Sequence, residues 1–378
     1  MIRSNEDFLA ARDRQATEAK KERARVEGLW RRLEASGEPK ARRELLADPE
    51  FQSWALCEKL CRESAWLADE DAGRAGELME LAVEMVPRLA LEEERRAALE
   101  EYVWMHVGNV CRARGDLKSA EEAFGRAKEH FLGGIRDSLP GPLERARLAV
   151  LESALLRDQG NLPEAFRQMD LAMSLASAGD SSLVAEVLLE KGCLHRRLGP
   201  SGEVHWALSL AAERAPGNAD PRLLLRIHIA LGNVLCDLGR HGEVKTLSAP
   251  LRREARRYPI EQCRLVSLEG RIAAGLGRLK EAETALRKLH ADPPGRAAAD
   301  LALLALEISG LYVRDGKIAK LRDLAKEMLR LVEAPHLSRE AAATLKLFCR
   351  LAGQGKLSAE RAGQFVRDFP RASGACSN

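Results

Sequence analysis

Residues 101–127 read EYVWMHVGNVCRARGDLKSAEEAFGRA, and this stretch decides the fold class. Val103 and Val110 lie seven positions apart, so they share one face of a helix that ends near Gly115. Glycine adopts at no steric cost the left-handed conformation in which many helices end. A second apolar pattern follows from Leu117 onward. The stretch therefore predicts two helices joined by a tight turn.

The same turn signal recurs along the chain at a nearly constant interval. Six glycines end an apolar helical stretch and precede a polar or helix-breaking residue: Gly115, Gly160, Gly199, Gly239, Gly277 and Gly316. The successive gaps are 45, 39, 40, 38 and 39 residues. A period near 39 residues without an intervening strand pattern is typical of stacked helix pairs, each of which cannot bury its apolar face alone.

Each repeat carries aliphatic residues at two fixed positions, counted from the residue fourteen before its glycine. The third position holds Val103, Leu148, Val187, Ile227, Leu265 and Leu304, and the tenth holds Val110, Leu155, Leu194, Val234, Ile272 and Leu311. These twelve residues predict one buried stripe that faces the neighbouring repeat. The eighth position holds Gly108, Ser153, Gly192, Gly232, Gly270 and Ser309, and such small residues let the paired helix approach closely.

These patterns resemble the tetratricopeptide repeat family. The matching residues in the first segment are Trp104, Val107-Gly108, Cys111, Gly115-Asp116-Leu117, Ala120, Phe124 and Ala127, and Leu231-Gly232-Asn233 and Gly160-Asn161-Leu162 repeat parts of the motif. The resemblance implies an all-α fold, a right-handed α-α superhelix with terminal capping helices. The interval exceeds the family's usual spacing of about 34 residues, and longer helices would account for the difference.

The repeat pattern predicts three parts of the chain. Residues 1–50 form a charged N-terminal helical segment, with a helix over about Asn5 to Ala35 that packs firmly only near its end. Residues 51–335 form the helix-pair repeats, beginning with a degenerate pair at about 51–90. Residues 336–378 form C-terminal capping helices, with Ser338 and Ser358 as helix N-caps, and a mobile tail from Pro370.

The composition predicts a protein of a reducing, aqueous compartment. Lys and Arg number 60 and Asp and Glu 57, so a net charge of +3 gives no overall attraction to nucleic acid or membrane. No apolar run approaches the roughly 18 residues of a membrane span, and the polar opening lacks the core of a secretion signal. The eight cysteines read as free thiols. We therefore expect the cytoplasm and no membrane contact.

The resemblance also implies a concave binding surface lined by the first helix of each pair. In that family the second, fifth, sixth, ninth, twelfth and thirteenth positions commonly point inward, and at these positions the basic residues outnumber the acidic ones: Arg112, Arg147, Arg157, Arg196, Arg197, Arg226, Arg264, Arg271 and Arg314 stand against Asp158, Glu186, Glu190, Asp237 and Glu307. Tyr102, Met105, His106, Asn109 and Asn233 complete the predicted partner-binding set. Arginine pairs carboxylates and phosphates in bidentate fashion, which predicts a groove for an acidic protein or peptide segment.

Two alternatives to an open groove stand beside this prediction. The mostly apolar fifth positions, Met105, Val150, Leu189, Ile229, Ser267 and Leu306, either supply binding energy from an exposed surface or pack inside a tight superhelix. The arginines either bind a ligand or pair with local acids.

Among functions, we rank a non-enzymatic scaffold or regulatory module first and nucleic-acid binding second. No catalytic, cofactor or metal motif is found. We interpret Cys57 and Cys61 as a packed pair in preference to zinc ligands. The sequence leaves the partner, the pathway and the oligomeric state open.

Overall fold

The computed structural model describes residues 5–68, 71–129, 145–176, 181–199, 202–217, 219–291, 298–333 and 337–373. Within these ranges the regular structure is helical and contains no strand. The chain divides into two compact units, Met1–Asn161 and Leu162–Asn378.

Unit 1 holds seven described α-helices. They are α1 (Asn5–Ala35), α2 (Pro39–Leu45), α3 (Trp54–Leu67), α4 (Ala72–Met85), α5 (Glu93–Ala113), α6 (Leu117–Glu129) and α7 (Arg145–Asp158). The predicted N-terminal helix has the predicted bounds, and the predicted degenerate pair is α3 with α4. Pro87 follows α4 in a short 3-10 turn, as its missing N–H requires.

The second half of α1 packs against α3. Val26, Trp30 and Leu33 are buried in the core of unit 1, which confirms the prediction that this end is the firmly packed one. A bidentate ion pair joins the two helices, with Arg23 Nε and Nη2 at 2.7 and 2.9 Å from the Glu58 carboxylate. Apolar burial and this pair together fix α1 on the first helix pair.

Unit 2 holds twelve described α-helices. They are α8 (Leu162–Ala176), α9 (Ser181–Arg196), α10 (Gly202–Arg214), α11 (Pro221–Asp237), α12 (His241–Ser248), α13 (Arg252–Ala255), α14 (Pro259–Gly275), α15 (Leu279–Ala291), α16 (Ala298–Arg314), α17 (Ile318–Leu329), α18 (Arg339–Gly353) and α19 (Ala359–Ser373). The first helices α9, α11, α14 and α16 each pack against the second helix of the same repeat.

The turns between paired helices have the predicted backbone. All six repeat glycines have positive φ, between 67° at Gly316 and 120° at Gly199, a region that other residues rarely enter. Gly355 also has a positive φ of 69° and follows Gly316 by 39 residues. The predicted cap is therefore one further helix pair, spaced at the same interval as the repeats before it.

The predicted stripe and the close helix approach are both confirmed. All twelve aliphatic residues at the third and tenth positions are buried. A Cβ added to Gly192 would lie 2.8 Å from Leu208 Cδ2 of the paired helix α10, and one added to Gly270 would lie 2.9 Å from Ala285 Cβ of the paired helix α15. The next first helix also comes close, because a Cβ added to Gly232 would lie 2.7 Å from Leu268 Cδ2.

Longer first helices explain the long repeat. The helices α11, α14 and α16 each have 17 residues and begin four residues before the first counted position. The second helix of the fourth repeat is interrupted instead, because Pro250 lies in a 3-10 turn that separates α12 from α13. The glycine pattern does not reveal this interruption.

The last pair packs differently from the others. Ser338 and Ser358 accept the backbone N–H of Ala341 and Arg361, as predicted for N-caps. However, α18 packs against α17, while α19 packs against α16 in the place that a following first helix would take. The helix also continues through Pro370 to Ser373, four residues into the predicted tail, because buried Phe369 holds its last turn. The rest of that tail lies outside the described residues.

Candidate functional site

The predicted binding residues lie on or next to first helices, but most of them are not open to solvent. The buried ones are Tyr102, Met105, His106, Asn109, Arg112, Arg157, Arg196, Asn233, Arg264 and Arg271. Arg147, Arg197 and Arg226 are half-buried, and Arg314 is exposed. The structure therefore brings these residues into packed clusters, one in each unit.

The cluster in unit 1 is centred on Asp158 at the end of α7. Arg112 Nη1 donates to Asp158 Oδ2 at 2.8 Å, and Arg157 Nε donates to Oδ1 at 2.9 Å. Burial opposes ionisation of Asp158, but the two guanidinium groups outweigh it and lower the pKa of this carboxyl to about 2. Arg112 also donates to Asn109 Oδ1 through Nε and Nη2, at 3.1 and 2.9 Å.

The cluster in unit 2 is centred on Arg271, whose side chain is only 1% exposed. Its Nη2 lies 2.7 Å from Asp237 Oδ1, its Nε lies 2.8 Å from Glu307 Oε1, and its Nη1 lies 2.8 Å from Asn233 Oδ1. Arg196 Nε completes the pairing of Asp237 at 2.8 Å. These bonds join α9, α11, α14 and α16.

Burial acts differently on the two carboxyl groups around Arg271. Burial disfavours the charged form of both, but Asp237 has Arg196 and Arg271 beside it, and its pKa is lowered. Glu307 pairs with Arg271, but the effect of burial is larger than that of the guanidinium group, so the pKa of Glu307 is raised. Its second oxygen, Oε2, is buried and has no hydrogen-bond partner among the described residues.

A second group of charges lies near the start of the same helices. Arg264 Nη1 and Arg222 Nε lie 2.9 and 3.4 Å from the fully buried Glu261 carboxylate. Burial raises the pKa of Glu261, but Arg264, Arg226 and Arg222 together lower it below the ordinary value. Arg226 Nη2 pairs with Glu190 on the preceding first helix at 2.7 Å. The arginines are therefore matched by carboxylates inside the unit.

One ion pair recurs in both units. An arginine at the twelfth position of one repeat pairs with an aspartate at the thirteenth position of the next, as Arg112 with Asp158 and Arg196 with Asp237. Both pairs have a distance of 2.8 Å. The repeated placement shows that these charges bind neighbouring repeats to each other, and we name this contact the Arg–Asp clamp.

A small cleft remains between the first helices of unit 2. Its lining comes from α9, α11 and α14 and consists of Arg196, Arg226, Ile229, Ala230, Asn233, Glu261 and Arg264, around a space of about 10 Å³, the size of roughly one water molecule. Because Asn233 Oδ1 accepts from Arg271, the amide nitrogen is turned away from that bond. The cleft is therefore rich in N–H donors.

The fifth positions follow the packed alternative. Met105, Val150, Leu189, Ile229, Ser267 and Leu306 are all buried. They fill the space between consecutive first helices, so an exposed apolar column along the groove is wrong. The predicted excess of basic charge is also reduced, because the added first turn of α14 and α16 contributes Glu261 and Asp300.

The same added turn explains which site residues were missed. Arg222, Glu261 and Asp300 all precede the first counted position of their repeats. The signal that could have found them is helix-start chemistry, since Asp220 is the N-cap and Pro221 the first residue of α11, and Pro259 is the first residue of α14. Extending α11 and α14 back to their prolines brings Arg222 and Glu261 into these helices, whereas α16 begins at Ala298 without such a signal.

Metal and membrane chemistry receive no support from the described ranges. Among those residues, no three His, Cys, Asp or Glu side chains come together where they could hold a metal ion. Cys57 and Cys61 are buried free thiols on α3. Of the helices in those ranges, none combines the length and hydrophobicity that a bilayer span needs.

Comparison with known proteins finds similarity in structure alone. No protein-family model and no curated protein matches the sequence. The structure is similar to the crystal structure of a Rap protein complexed with competence and sporulation factor, with a TM-score of 0.61, 13% identity, and coverage of 84% of this chain and 88% of that chain. Aspartyl phosphate phosphatase F from Bacillus subtilis gives a TM-score of 0.45 at 13% identity, with 83% of each chain covered. The first similarity shows the predicted fold class, an all-α helical-repeat superhelix.

Proposed function

We propose that this protein is a non-enzymatic regulator that binds a protein or peptide segment in the cleft of unit 2. The observation that carries the proposal is the donor-rich lining: three guanidinium groups and the oriented amide of Asn233 face a common void beside Ile229. Peptide carbonyls and carboxylates are the acceptors that such donors bind. A segment with an acidic residue fits this lining best.

The similar fold supports a binding role. The Rap protein of similar structure is complexed with competence and sporulation factor, so a helical-repeat fold of this kind can hold a partner. The resemblance to tetratricopeptide repeats supports the same role, because such arrays present extended surface. We place the protein in the cytoplasm, where its free thiols would remain reduced.

Nucleic-acid binding is the less favoured function. A polynucleotide binds through many exposed cations along its phosphate backbone, whereas Arg196 and Arg264 of the cleft are buried. A narrow cleft with buried cations suits one acidic side chain better than a polyanion. Purified protein that carries nucleic acid, released by high salt, would favour this alternative over the peptide.

Affinity capture from the native cell, followed by mass spectrometry, tests the proposal. Ala230→Glu places a carboxylate among the cleft arginines, and Ala230→Gln places a neutral group of nearly the same size there. Ala212→Glu, at a half-buried alanine of α10, is the matched control outside the cleft. We expect wild type and Ala212→Glu to capture the same partner and Ala230→Glu to lose it.

The glutamine variant separates charge from volume. A partner that survives Ala230→Gln but not Ala230→Glu is recognised through its negative charge, while equal loss in both means that the cleft binds an uncharged segment. Identical captures from all four proteins would refute the cleft as the binding site. Circular dichroism on each variant confirms that the helices are retained.

A further inference from the structure

The interior of unit 2 is too tightly packed to admit an extended segment as it stands. The free space in the cleft, about 10 Å³, is that of roughly one water molecule and far below the roughly 300–1,000 Å³ of pockets that enclose small ligands. Ile229 lines the cleft, and Leu189 and Leu306 at other fifth positions are buried as well. Entry of a peptide therefore requires the first helices to separate, and some contact must hold them together before it enters.

The last helix is placed to supply that contact. The helix α19 lies against α16, the last of the four first helices, and buries Ala362 and Phe369 completely. Its Phe365 ring meets the Phe348 ring of α18 edge-on at 5.4 Å. At its end, Ser338 Oγ donates to the carbonyl oxygen of Ala372 at 2.5 Å. The end of α19 is thus held in a defined position.

From that position the Arg371 side chain of α19 reaches the Gly199 turn. A Cβ added to Gly199 would overlap the guanidinium group of Arg371, so this side chain rests on the turn that ends α9. The last carbonyl groups of a helix carry partial negative charge, which attracts a cation. Arg371 therefore places its cation against the end of α9, three first helices before α16.

We propose that α19 is a latch that holds unit 2 closed, with Arg371 as the residue that fastens it to the Gly199 turn. Release of this contact frees α9 to move away from α11 and opens the cleft between them. The proposal rests on the proposed function for the identity of the site, but the closed state and its release are properties of the chain alone. They can be measured without any ligand.

Two native thiols report on opening. Cys193 on α9 and Cys236 on α11 stand at the ninth and twelfth positions, and both are buried. Burial raises the pKa of Cys236 to about 12, so it reacts slowly until water reaches it. Cys57 and Cys61 in unit 1 are equally buried and serve as the internal reference.

The experiment compares N-ethylmaleimide labelling rates, site by site, by mass spectrometry on the full chain. We expect Arg371→Ala to accelerate labelling at Cys193 and Cys236 at least fivefold and to leave Cys57 and Cys61 unchanged. Arg367→Ala, which removes an exposed arginine one turn earlier on α19, is expected to leave all four rates within twofold.

A second variant separates opening from loss of stability. Val244→Ala truncates a buried side chain of α12 and destabilises unit 2 without touching the latch. Unchanged rates in Arg371→Ala would overturn the latch, as would a Val244→Ala variant that gives the same acceleration. A labelled tetraglutamate peptide that fails to bind even when the thiols are exposed would instead count against the proposed ligand chemistry and leave the latch standing.

Discussion

Replacement of Arg271 by methionine provides a stringent test of the charged interior. Methionine fills much of the volume but leaves the carboxylates of Asp237 and Glu307 without the cation that joins them. Removal of one partner from a buried ion pair costs about 3–5 kcal/mol, because the remaining charge stays buried. Arg271 serves two carboxylates and is 1% exposed, so we expect a loss within this range at pH 7.5.

The expected loss depends on pH. Without Arg271, the pKa values of Asp237 and Glu307 rise above those of the unfolded chain. The folded variant then binds more protons than the unfolded one, so its stability increases as the pH falls. Protonation removes the buried charge, and we expect the difference between variant and wild type to shrink by about 1 kcal/mol or more between pH 7.5 and pH 5.

Native-state hydrogen exchange measures this loss within unit 2. The protected amides of α11 and α14 report its opening free energy, without interference from unit 1. Arg287→Met, at an exposed arginine of α15, is the control and is expected to change the same free energy by about 0.5 kcal/mol or less. A loss below about 1 kcal/mol for Arg271→Met, or one that does not vary with pH, would refute this account of the interior.

Three further predictions concern other parts of the chain. The fall in the pKa of Asp158 from 3.8 to about 2 corresponds to about 2 kcal/mol of stability in unit 1, which is present above about pH 4 and lost toward about pH 2. Asp158→Asn should remove this pH dependence of the unfolding free energy, as measured by urea unfolding. An unchanged pH dependence would contradict the prediction. Gly232→Ala should destabilise unit 2 by about 1–3 kcal/mol in thermal unfolding, because the added methyl group overpacks the helix contact. Gly28→Ala, which has open space around it, should instead stabilise α1 by up to about 1 kcal/mol. Equal effects of the two substitutions would argue against a close helix approach at Gly232. Glu190→Gln removes the carboxylate that pairs with Arg226 of the cleft, and should tighten the binding of labelled tetraglutamate at least fivefold in fluorescence anisotropy. Asp170→Asn is the control and should leave the affinity unchanged, because its partner Lys191 lies outside the cleft lining.

Features set by local backbone chemistry could be predicted from the sequence. The turn at Gly115 and its five equivalents need a left-handed residue, and glycine supplies it whatever surrounds it. The same holds for the N-cap at Ser338, whose hydroxyl bonds to the backbone three residues on. These signals fixed the repeat interval and the fold class because each depends on only a few neighbouring residues.

Features set by contacts between distant helices could not be predicted. The sequence marks Arg196 and Arg271 as facing inward, but their pairing with Asp237 depends on how three helices pack. The exchange of places between α18 and α19 is likewise a tertiary result, since both helices have apolar faces that fit the end of a stack. Of the two alternatives left open for the arginines, pairing with local acids is the one that Arg112, Arg196 and Arg271 adopt.

The Arg–Asp clamp gives four of the six repeats a fixed neighbour. In an array held by apolar stripes alone, units of equal length can be exchanged, duplicated or deleted with little penalty. Deletion of residues 200–239 from this chain would instead bring Gly275, the thirteenth position of the next repeat, opposite Arg196 and leave that arginine without its carboxylate. Repeat shuffling, a common route by which such arrays change length during evolution, is thus restricted here by charge, and the order of the repeats is itself an inherited property of the protein.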